Sequence, residues 1–420
     1  NEVIKMEKVI FHVDVNCAYL SWEAVYRKKY RGEALDLRDI PSAVGGDVNQ
    51  RHGIILAKSM PAKAYGIRTG DSVWEARQKY GSLTIVPPDY SLYDRSSHAL
   101  LDILREYSPS VEQYSIDEAY MDMSGTERLF GTPEKAADSI RQRIRKELGF
   151  TVNIGISENK LLAKMASDFK KPDRTHTLFT REIPQKLWPL PAGELFFVGR
   201  ASAKKLYDLG IYTIGELAKT DVEILKRHMK KQGELIWNFA NGRDFSLVEA
   251  VPPPNKGYGN STTIPVDVTT ASQASLVLLA LAETVGARLR KDGKKAEVIS
   301  VSIKDYLFRT SSHQCRLPAP TNITEELNRH ACRLFPEFWD GLPIRHLGIH
   351  TGRIQDGNVM RQMELFDTRD YGKLERLDRA VDTIRRRYGM DAVKRAVFLE
   401  SPIDHMSGGM SREKRYRCEH

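Results

Sequence analysis

Two adjacent carboxylates, Asp117 and Glu118, interrupt the apolar, strand-like run EQYSIDEAYMDM at residues 112–123. Successive side chains on a strand point to opposite faces of the sheet, so a regular strand would separate the two acids. If both acids serve one site, they must lie at a strand end, a bulge or a hairpin tip. The alternative is a solvated turn without a function.

A third acid lies inside another apolar segment, KVIFHVDVNCAYLS (8–21), whose β-branched residues are typical of a buried strand. Asp14 is therefore costly unless it is paired or bound to a metal. Mg²⁺ prefers hard oxygen ligands, so Asp14, Asp117 and Glu118 could form a metal cluster for phosphoryl transfer. Structural ion pairs with nearby lysines would also explain these acids.

The composition indicates a large basic protein. Its 420 residues predict two to four domains, and a net charge of +9 favours a polyanionic partner, either nucleic acid or an anionic membrane surface. No apolar run approaches the roughly 18 residues of a membrane span, and NEVIKMEK at the start lacks the apolar core of a secretory signal. The scattered cysteines Cys17, Cys315, Cys332 and Cys418 predict neither structural zinc nor a disulfide framework, and they fit a reducing cytoplasm.

Several further elements follow from the patterns. Residues 43–59 predict two strands joined by a polar turn, and NKLLAKMASDFKKP predicts a helix that Pro172 stops. Lys160, Lys164 and Lys171 would form its solvated basic edge. Residues 184–247 predict a small helical region whose Gly turns could bind phosphate.

A Pro/Gly linker, VPPPNKGYG (251–259), precedes a region with the order strand-helix-strand-strand-helix-strand. That order over residues 260–354 predicts a split βαβ arrangement. Basic residues recur through it and could contact DNA phosphates: Arg288, Arg290, Lys291, Lys294, Lys295, Lys304, Arg309, Arg316, Arg345 and Arg353.

The segments HVDVNCAYLS, YSIDEAYMDM, GISENKLLAKMASDFKKP and FFVGRASAKKLYDLGI occur in this order and at this spacing in Y-family translesion DNA polymerases. Over about residues 8–355 the chain resembles the bacterial DNA polymerase IV group of that family. The resemblance implies an α+β, multidomain right-hand fold with a mixed or antiparallel palm sheet. The implied domains are the palm (1–17 and 89–178), small fingers (18–88), a helical thumb (179–248), a linker (249–258), a split-βαβ little finger (259–354) and a C-terminal tail (355–420).

The resemblance also implies the chemistry, which is low-fidelity, template-directed addition of dNTPs to a primer 3′-hydroxyl between two Mg²⁺ ions. Asp14, Asp117 and Glu118 match the family's catalytic metal ligands, and the backbone carbonyl of Val15 matches a further ligand. Tyr19 matches the steric gate, the aromatic ring beneath the incoming sugar, although it could instead be a core aromatic residue. Lys171 matches a lysine that binds the triphosphate.

Three positions depart from the family pattern. Where relatives commonly have a Tyr and an Arg that hold the β- and γ-phosphates, this chain has Met60 and Lys63. Lys63 can neutralise phosphate as a point charge, but it lacks the bidentate fork of Arg, and Met60 cannot donate a hydrogen bond. Asn16 stands where many relatives have Asp, so we expect no ligand role there.

The tail contains QMELFD (362–367), in which Gln362, Leu365 and Phe366 have the spacing of the peptide that docks bacterial polymerases on the sliding clamp. An amphipathic helix, KLERLDRAVDTIRRRYG, follows without an assigned role, and the basic end SREKRYRCEH is predicted to be disordered. Together these features predict a cytoplasmic monomer that binds primer–template DNA, dNTPs and the clamp.

Two other functions remain open from the residues alone. A DNA-binding accessory protein that has lost synthesis would explain Met60 and Lys63, but not an intact set of acids. A two-metal nuclease would use the same acids, but it would not explain Tyr19, Lys171 or the clamp-like peptide.

Overall fold

The computed structural model describes residues 8–46, 53–359, 361, 369–399, 401 and 403–406. The chain forms two compact units. The first contains Asn1–Gly45 and Ile55–Pro252, and the second contains Gly46–Ile54 and Pro253–His420. Among the described residues, no helix has the length and apolar character that crossing a membrane requires.

The first unit combines two sheets with helices. Its elements in chain order are β1 (Ile10–Val15), α1 (Ala18–Tyr30), β2 (Ser42–Gly45), β3 (Ile55–Lys58), α2 (Met60–Ala64), α3 (Val73–Lys79), β4 (Thr84–Val86), α4 (Tyr90–Arg105), β5 (Val111–Gln113), β6 (Glu118–Asp122), α5 (Glu127–Phe130), α6 (Pro133–Leu148), β7 (Val152–Ser157), α7 (Lys160–Ser167), β8 (Thr175–Thr177), α8 (Ile183–Lys186), α9 (Arg200–Asp208), α10 (Ile214–Lys219), α11 (Val222–Met229) and α12 (Lys231–Ala240).

A five-stranded mixed sheet with the order β5-β6-β1-β7-β8 forms the centre of this unit. Strand β1 lies antiparallel to both β6 and β7, whereas β7 and β8 are parallel. Because side chains alternate along β1, Phe11 and Val13 enter the apolar core that also contains residues of α4 and α6. His12 points to the other face, where its Nδ1 lies 2.8 Å from Ser167 Oγ on α7.

Helix α7 lies very close to strand β7, and Gly155 permits this contact. A Cβ atom at Gly155 would collide with the Ala163 carbonyl oxygen and with the Ser167 backbone nitrogen. Helix α7 ends at Ser167, five residues before the predicted stop at Pro172. The Asn153 amide explains the earlier end, because it donates hydrogen bonds of 3.0 Å to the carbonyls of both Ser167 and Lys170.

The smaller sheet has the order β3-β2-β4. Strands β2 and β3 are antiparallel, which confirms the two strands predicted over 43–59, and residues 47–52 between them lie outside the described ranges. Helices α8 to α12 confirm the helical region predicted at 184–247, and around Leu206, Leu217 and Ile236 they form an apolar core that includes residues of α7.

The second unit confirms the predicted split βαβ order. Its elements are β9 (Gly257–Val268), α13 (Ala271–Lys291), β10 (Lys294–Asp305), β11 (Thr310–Thr321), α14 (Thr324–Leu334), β12 (Ile344–Asp356) and α15 (Tyr371–Tyr388). The four strands form an antiparallel sheet with the order β11-β10-β12-β9. Ile299, Val301 and Ile303 of β10 are buried in the core with residues of α13 and α14, so Ser300, Ser302 and Lys304 lie on the opposite face.

Helix α15 packs against the rest of the second unit, and its contacts contradict one expectation from the sequence. Arg290 was expected among the residues that could contact DNA, but its side chain is only 6% exposed. Its guanidinium lies 3.1 Å from Asp378 and 2.6 Å from Asp382, both on α15. Arg290 therefore holds the C-terminal helix in place, and the DNA assignment for this residue is wrong.

Candidate active site

The acids of the quoted apolar run meet Asp14 at the edge of the five-stranded sheet. Asp14 on β1 stands directly opposite Glu118, the first residue of β6. Asp117 lies just before β6, in the tip that joins it to β5, where the N–H groups of Tyr114 and Ser115 both donate to the Glu118 carbonyl at 3.0 and 3.1 Å. The acidic pair thus lies at a hairpin tip, one of the three arrangements that would place both acids at one site.

Backbone pairing continues around the tip. The N–H of Val15, the last residue of β1, donates to the Asp117 carbonyl at 3.0 Å. The Asp117 carboxylate accepts a hydrogen bond of 2.6 Å from Ser115 Oγ. The hairpin therefore fixes Asp117 beside the end of β1, adjacent to Asp14.

Two lysines neutralise this acidic group. Lys164 Nζ on α7 lies 2.6 Å from a Glu118 carboxylate oxygen and 3.5 Å from Asp14 Oδ2. Lys171 Nζ lies 3.0 Å from the same Asp14 oxygen. Asp168 joins the two lysines, at 3.3 Å from Lys164 and 2.9 Å from Lys171. Without these cations, the buried Asp14 would carry a large desolvation cost.

Burial and neighbouring charges shift the pKa values of this cluster. Burial raises the pKa of the Glu118 carboxyl above its usual range; the Lys164 ammonium opposes this effect and Asp14 adds to it. Burial alone would lower the pKa of Lys164, but its carboxylate neighbours, led by Asp168, outweigh burial and raise that pKa. Burial alone would also lower the pKa of Lys171, but its carboxylate partners Asp14 and Asp168 outweigh burial and raise that pKa. Both lysines are therefore cationic near neutral pH.

Lys160, the third lysine of the predicted basic edge, points elsewhere. Its Nζ lies 2.7 Å from both carboxylate oxygens of Glu112 and 3.3 Å from the Leu247 carbonyl. Lys160 thus fixes the segment after α12 to strand β5 and does not join the acidic cluster.

Asn16 has a structural role. Its amide group donates to the Asn153 side chain at 3.2 Å and accepts hydrogen bonds from Thr151 Oγ1 at 3.0 Å and the Asp173 N–H at 2.9 Å. Through these hydrogen bonds, the Asn16 side chain connects the end of β1 to the segment after α7.

Tyr19 lies on the first turn of α1, just after the end of β1. It is half-buried, its ring stacks on Tyr93 at 4.5 Å, and the edge of Tyr90 approaches it at 6.1 Å. Burial raises the pKa of the Tyr19 hydroxyl, and Tyr90 and Asp117 add to this shift. One part of the ring is therefore fixed by aromatic packing, while the hydroxyl is close enough to the acidic tip to respond to its charge.

Further cations surround the turn between β1 and α1. Burial raises the pKa of the Cys17 thiol, whereas the charges of Lys58, Lys63 and Lys171 lower it, so all three ammonium groups act at this turn. Lys63 is exposed on α2 and Lys58 ends β3. Met60, at the first position of α2, is 46% exposed and adds no polar group.

Sequence reasoning missed Lys58, Lys164 and Asp168. Lys58 belongs to a strand with alternating burial, and Lys164 is buried on a helix that packs closely on Gly155. The i, i+4 spacing of Lys164 and Asp168 was a usable signal for their ion pair. Gln362, Leu365 and Phe366 lie outside the described residues.

Comparisons with known proteins identify the family. The sequence profile of the impB/mucB/samB family matches residues 13–168, and that of its C-terminal domain matches residues 255–365. The DNA polymerase IV of Clostridium acetobutylicum is 44% identical over 395 residues, covering 94% of this chain and 99% of that protein. The chain belongs to the DNA polymerase IV group of the Y family. DNA polymerase IV 1 of Bacillus subtilis is also similar, at 36% identity over 96% of this chain and 95% of that protein.

A solved structure supports the fold. A Y-family DNA polymerase chimera superposes with a TM-score of 0.70 at 21% identity, covering 82% of this chain and 99% of the chimera. The polymerase IV homologue therefore has the α+β, multidomain right-hand fold that its sequence resembles. Its five-stranded sheet is mixed, as the expected palm sheet allowed.

Proposed function

We propose that this DNA polymerase IV homologue adds dNTPs to a primer 3′-hydroxyl at the acidic cluster formed by Asp14, Asp117 and Glu118. Family membership makes it a metal-dependent, DNA-directed DNA polymerase of the translesion class. The observation that carries the assignment of the site is the pairing of Asp14 with Glu118 across two strands, with Asp117 fixed beside them.

The residues of the cluster fit a pair of Mg²⁺ ions. Carboxylate oxygens are the hard donors that Mg²⁺ prefers, and the Lys164 ammonium already lies between Asp14 and Glu118 as a neutralising cation. Asp14, Asp117, Glu118 and the Val15 carbonyl would hold the metal. When bound, Mg²⁺ would neutralise phosphate charge and stabilise the attacking and leaving oxygens of the displacement.

The lysines of the first unit would bind and orient the triphosphate. Lys171 would exchange its contact with Asp14 for a phosphate oxygen, and Lys63 would add a second positive charge. Lys58 supplies a third charge near the same turn, which offsets the missing Arg fork at position 63. Tyr19 would lie beneath the sugar, where its packed ring leaves no room for a 2′-hydroxyl.

The domains would divide this work as in a right hand. We assign the palm to 1–17 and 89–178, the fingers to 18–88, the thumb to 179–248, the linker to 249–258 and the little finger to 259–354. In the four-stranded sheet of the second unit, the face opposite the core carries Ser300, Ser302 and Lys304. These polar and basic side chains suit contact with a DNA backbone. Residues 355–420 would form the tail.

The tail would connect the enzyme to the replication machinery. We propose that Gln362, Leu365 and Phe366 dock on the sliding clamp, and that the enzyme acts as a cytoplasmic monomer on DNA. The free thiols of Cys17, Cys315 and Cys332 support a reducing compartment.

Primer extension on an undamaged primer–template with Mg²⁺ and dNTPs tests the proposal, with Asp117→Asn beside the parent. We expect extension by the parent and a loss of at least about a thousandfold in the variant, or about 4 kcal/mol of transition-state stabilisation. DNA affinity should remain nearly unchanged. Asp102→Asn is the control, because its side chain is 70% exposed, and it should extend normally.

Two results would contradict the proposal. Equal extension by Asp117→Asn would remove this acid from the reaction. No extension by the parent, with DNA still bound, would favour the accessory function.

A further inference from the structure

Helix α15 carries an apolar stripe that is partly exposed to solvent, with Leu374 and Val381 half-buried. Leu374, Leu377, Val381, Ile384 and Tyr388 follow one another at spacings of three and four residues, which is the a/d pattern of a helix that pairs with another helix. Leu377, Ile384 and Tyr388 are 55%, 39% and 65% exposed, respectively. We name these five residues the outer seam.

The neighbouring stripe of α15 is charged and buried. Tyr371, Asp378 and Arg385 lie seven residues apart, and they are the buried residues of the helix. Asp378 accepts from Arg290 and from the Thr324 N–H at 2.8 Å, while Arg385 lies 3.4 Å from the buried Glu283. These directional contacts fix the rotation of α15 about its axis, so the outer seam cannot turn inward without breaking buried ion pairs.

Charge distinguishes the outer surface from the inner one. The acids Glu375, Asp378 and Asp382 face basic residues of the second unit, with Lys295 at 3.9 Å from Glu375 and Arg290 bound to the other two. The exposed charged side chains of α15 are all basic, namely Lys373, Arg376, Arg379, Arg386 and Arg387. Of these, Lys373 and Arg387 border the outer seam on the side away from the buried stripe, so the seam complements an amphipathic helix with an acidic flank.

We propose that the outer seam docks an acidic amphipathic helix of another protein. A second copy of this chain would bring the same cations together across the interface, so repulsion disfavours it. The end of the chain, SREKRYRCEH, is basic and is disfavoured for the same reason. DNA would satisfy the cations, but it would leave Leu377 and Ile384 without an apolar partner.

The probe is a fluorescent four-heptad peptide with Leu at a and d and Glu at e and g, titrated against the full-length polymerase. We expect saturable binding that weakens at least tenfold in the double variant Leu377→Glu/Ile384→Glu. Leu399→Glu is the matched control, since it is 73% exposed and lies outside α15, and it should bind normally. Lys373→Glu/Arg387→Glu should also weaken binding, and a Lys-flanked peptide should not bind.

Circular dichroism and primer extension by the seam variants should match the parent, because the substituted side chains are exposed and lie outside the acidic cluster.

Absence of peptide binding, or equal binding of the Lys-flanked peptide, would overturn the proposal. Loss of DNA affinity in the seam variant would assign the surface to DNA. Self-association that Leu377→Glu abolishes would assign it to a second copy. Tighter peptide binding after Leu365→Ala/Phe366→Ala would show that the chain's own tail occupies the seam. Each of these assignments would also overturn the proposal.

Discussion

At the residue scale, Tyr19 is positioned by its neighbours on α4. Its ring stacks on Tyr93 with an interplanar angle of 10°, and the Tyr93 hydroxyl donates to the buried Glu23 at 2.9 Å. This hydrogen bond holds Tyr93 in place, and its stacked ring restricts the movement of the Tyr19 ring. A ring held in this way can reject a substituent of a single oxygen atom, whereas a mobile ring would move aside.

We expect Tyr19→Ala to accept ribonucleotides at least about tenfold better than the parent, a change of about 1.4 kcal/mol in discrimination. Lost ring contacts should reduce stability by only about 0.5–1.5 kcal/mol, so the variant stays folded. Single-nucleotide incorporation with matched dNTP and rNTP measures the ratio. Tyr19→Phe keeps the ring and should discriminate like the parent. Unchanged exclusion by Tyr19→Ala would assign the residue to the core alone.

Sequence reasoning pointed to the acids at this scale, because a charge inside an apolar strand has few explanations, and their role as metal ligands stays a prediction. It failed for Lys164 on α7, because the lysines of this segment also fit a solvated basic edge. Its burial depends on α7 meeting the strands that carry Asp14 and Glu118, and a contact between distant segments leaves no local pattern. Lys58 was missed for the same reason.

At the element scale, Arg290 makes several of the contacts that hold α15. Arg290 bonds both Asp378 and Asp382 and donates to the Asn322 carbonyl at 2.6 Å. Arg290→Met should leave two largely buried carboxylates without a counter-charge, at a cost of about 3–5 kcal/mol to the docking of the helix. Hydrogen exchange of the amides in 371–388 should therefore become markedly faster.

Arg316→Met is the matched control for this change. The Arg316 side chain is 69% exposed and pairs with Glu297 at 3.4 Å, so its loss should change stability by less than about 1 kcal/mol. Slow exchange of α15 in Arg290→Met would show that other contacts suffice to hold the helix.

The sequence predicted that α15 is an amphipathic helix, but not which stripe faces inward. A pattern of Leu, Val and Ile at helical spacing normally indicates the buried face. Here buried ion pairs turn the neighbouring stripe inward and leave Leu377 and Ile384 exposed. Their partners Glu283 and Arg290 lie about a hundred residues earlier in the chain. The split βαβ order was easier to predict, because alternating strands and long helices are encoded locally.

At the scale of the whole molecule, processive synthesis should depend on the tail. We expect Leu365→Ala/Phe366→Ala to weaken binding to the sliding clamp at least about tenfold, because an apolar pair provides most of such an anchor. Distributive synthesis without the clamp should be unchanged. Leu307→Ala/Phe308→Ala is the control, since these adjacent residues are 53% and 63% exposed in the second unit and should not affect clamp binding. Clamp affinity equal to that of the parent would make the tail motif accidental.

The close contact at Gly155 has a consequence for how this enzyme tolerates change. Gly155 contributes no atom to the reaction, yet even one methyl group there would displace the helix that carries Lys164. A saturation screen for polymerase activity should therefore rank Gly155 with the acids as intolerant of substitution. Such a map would identify a point of close backbone packing as readily as a point of chemistry, and only the structure separates the two.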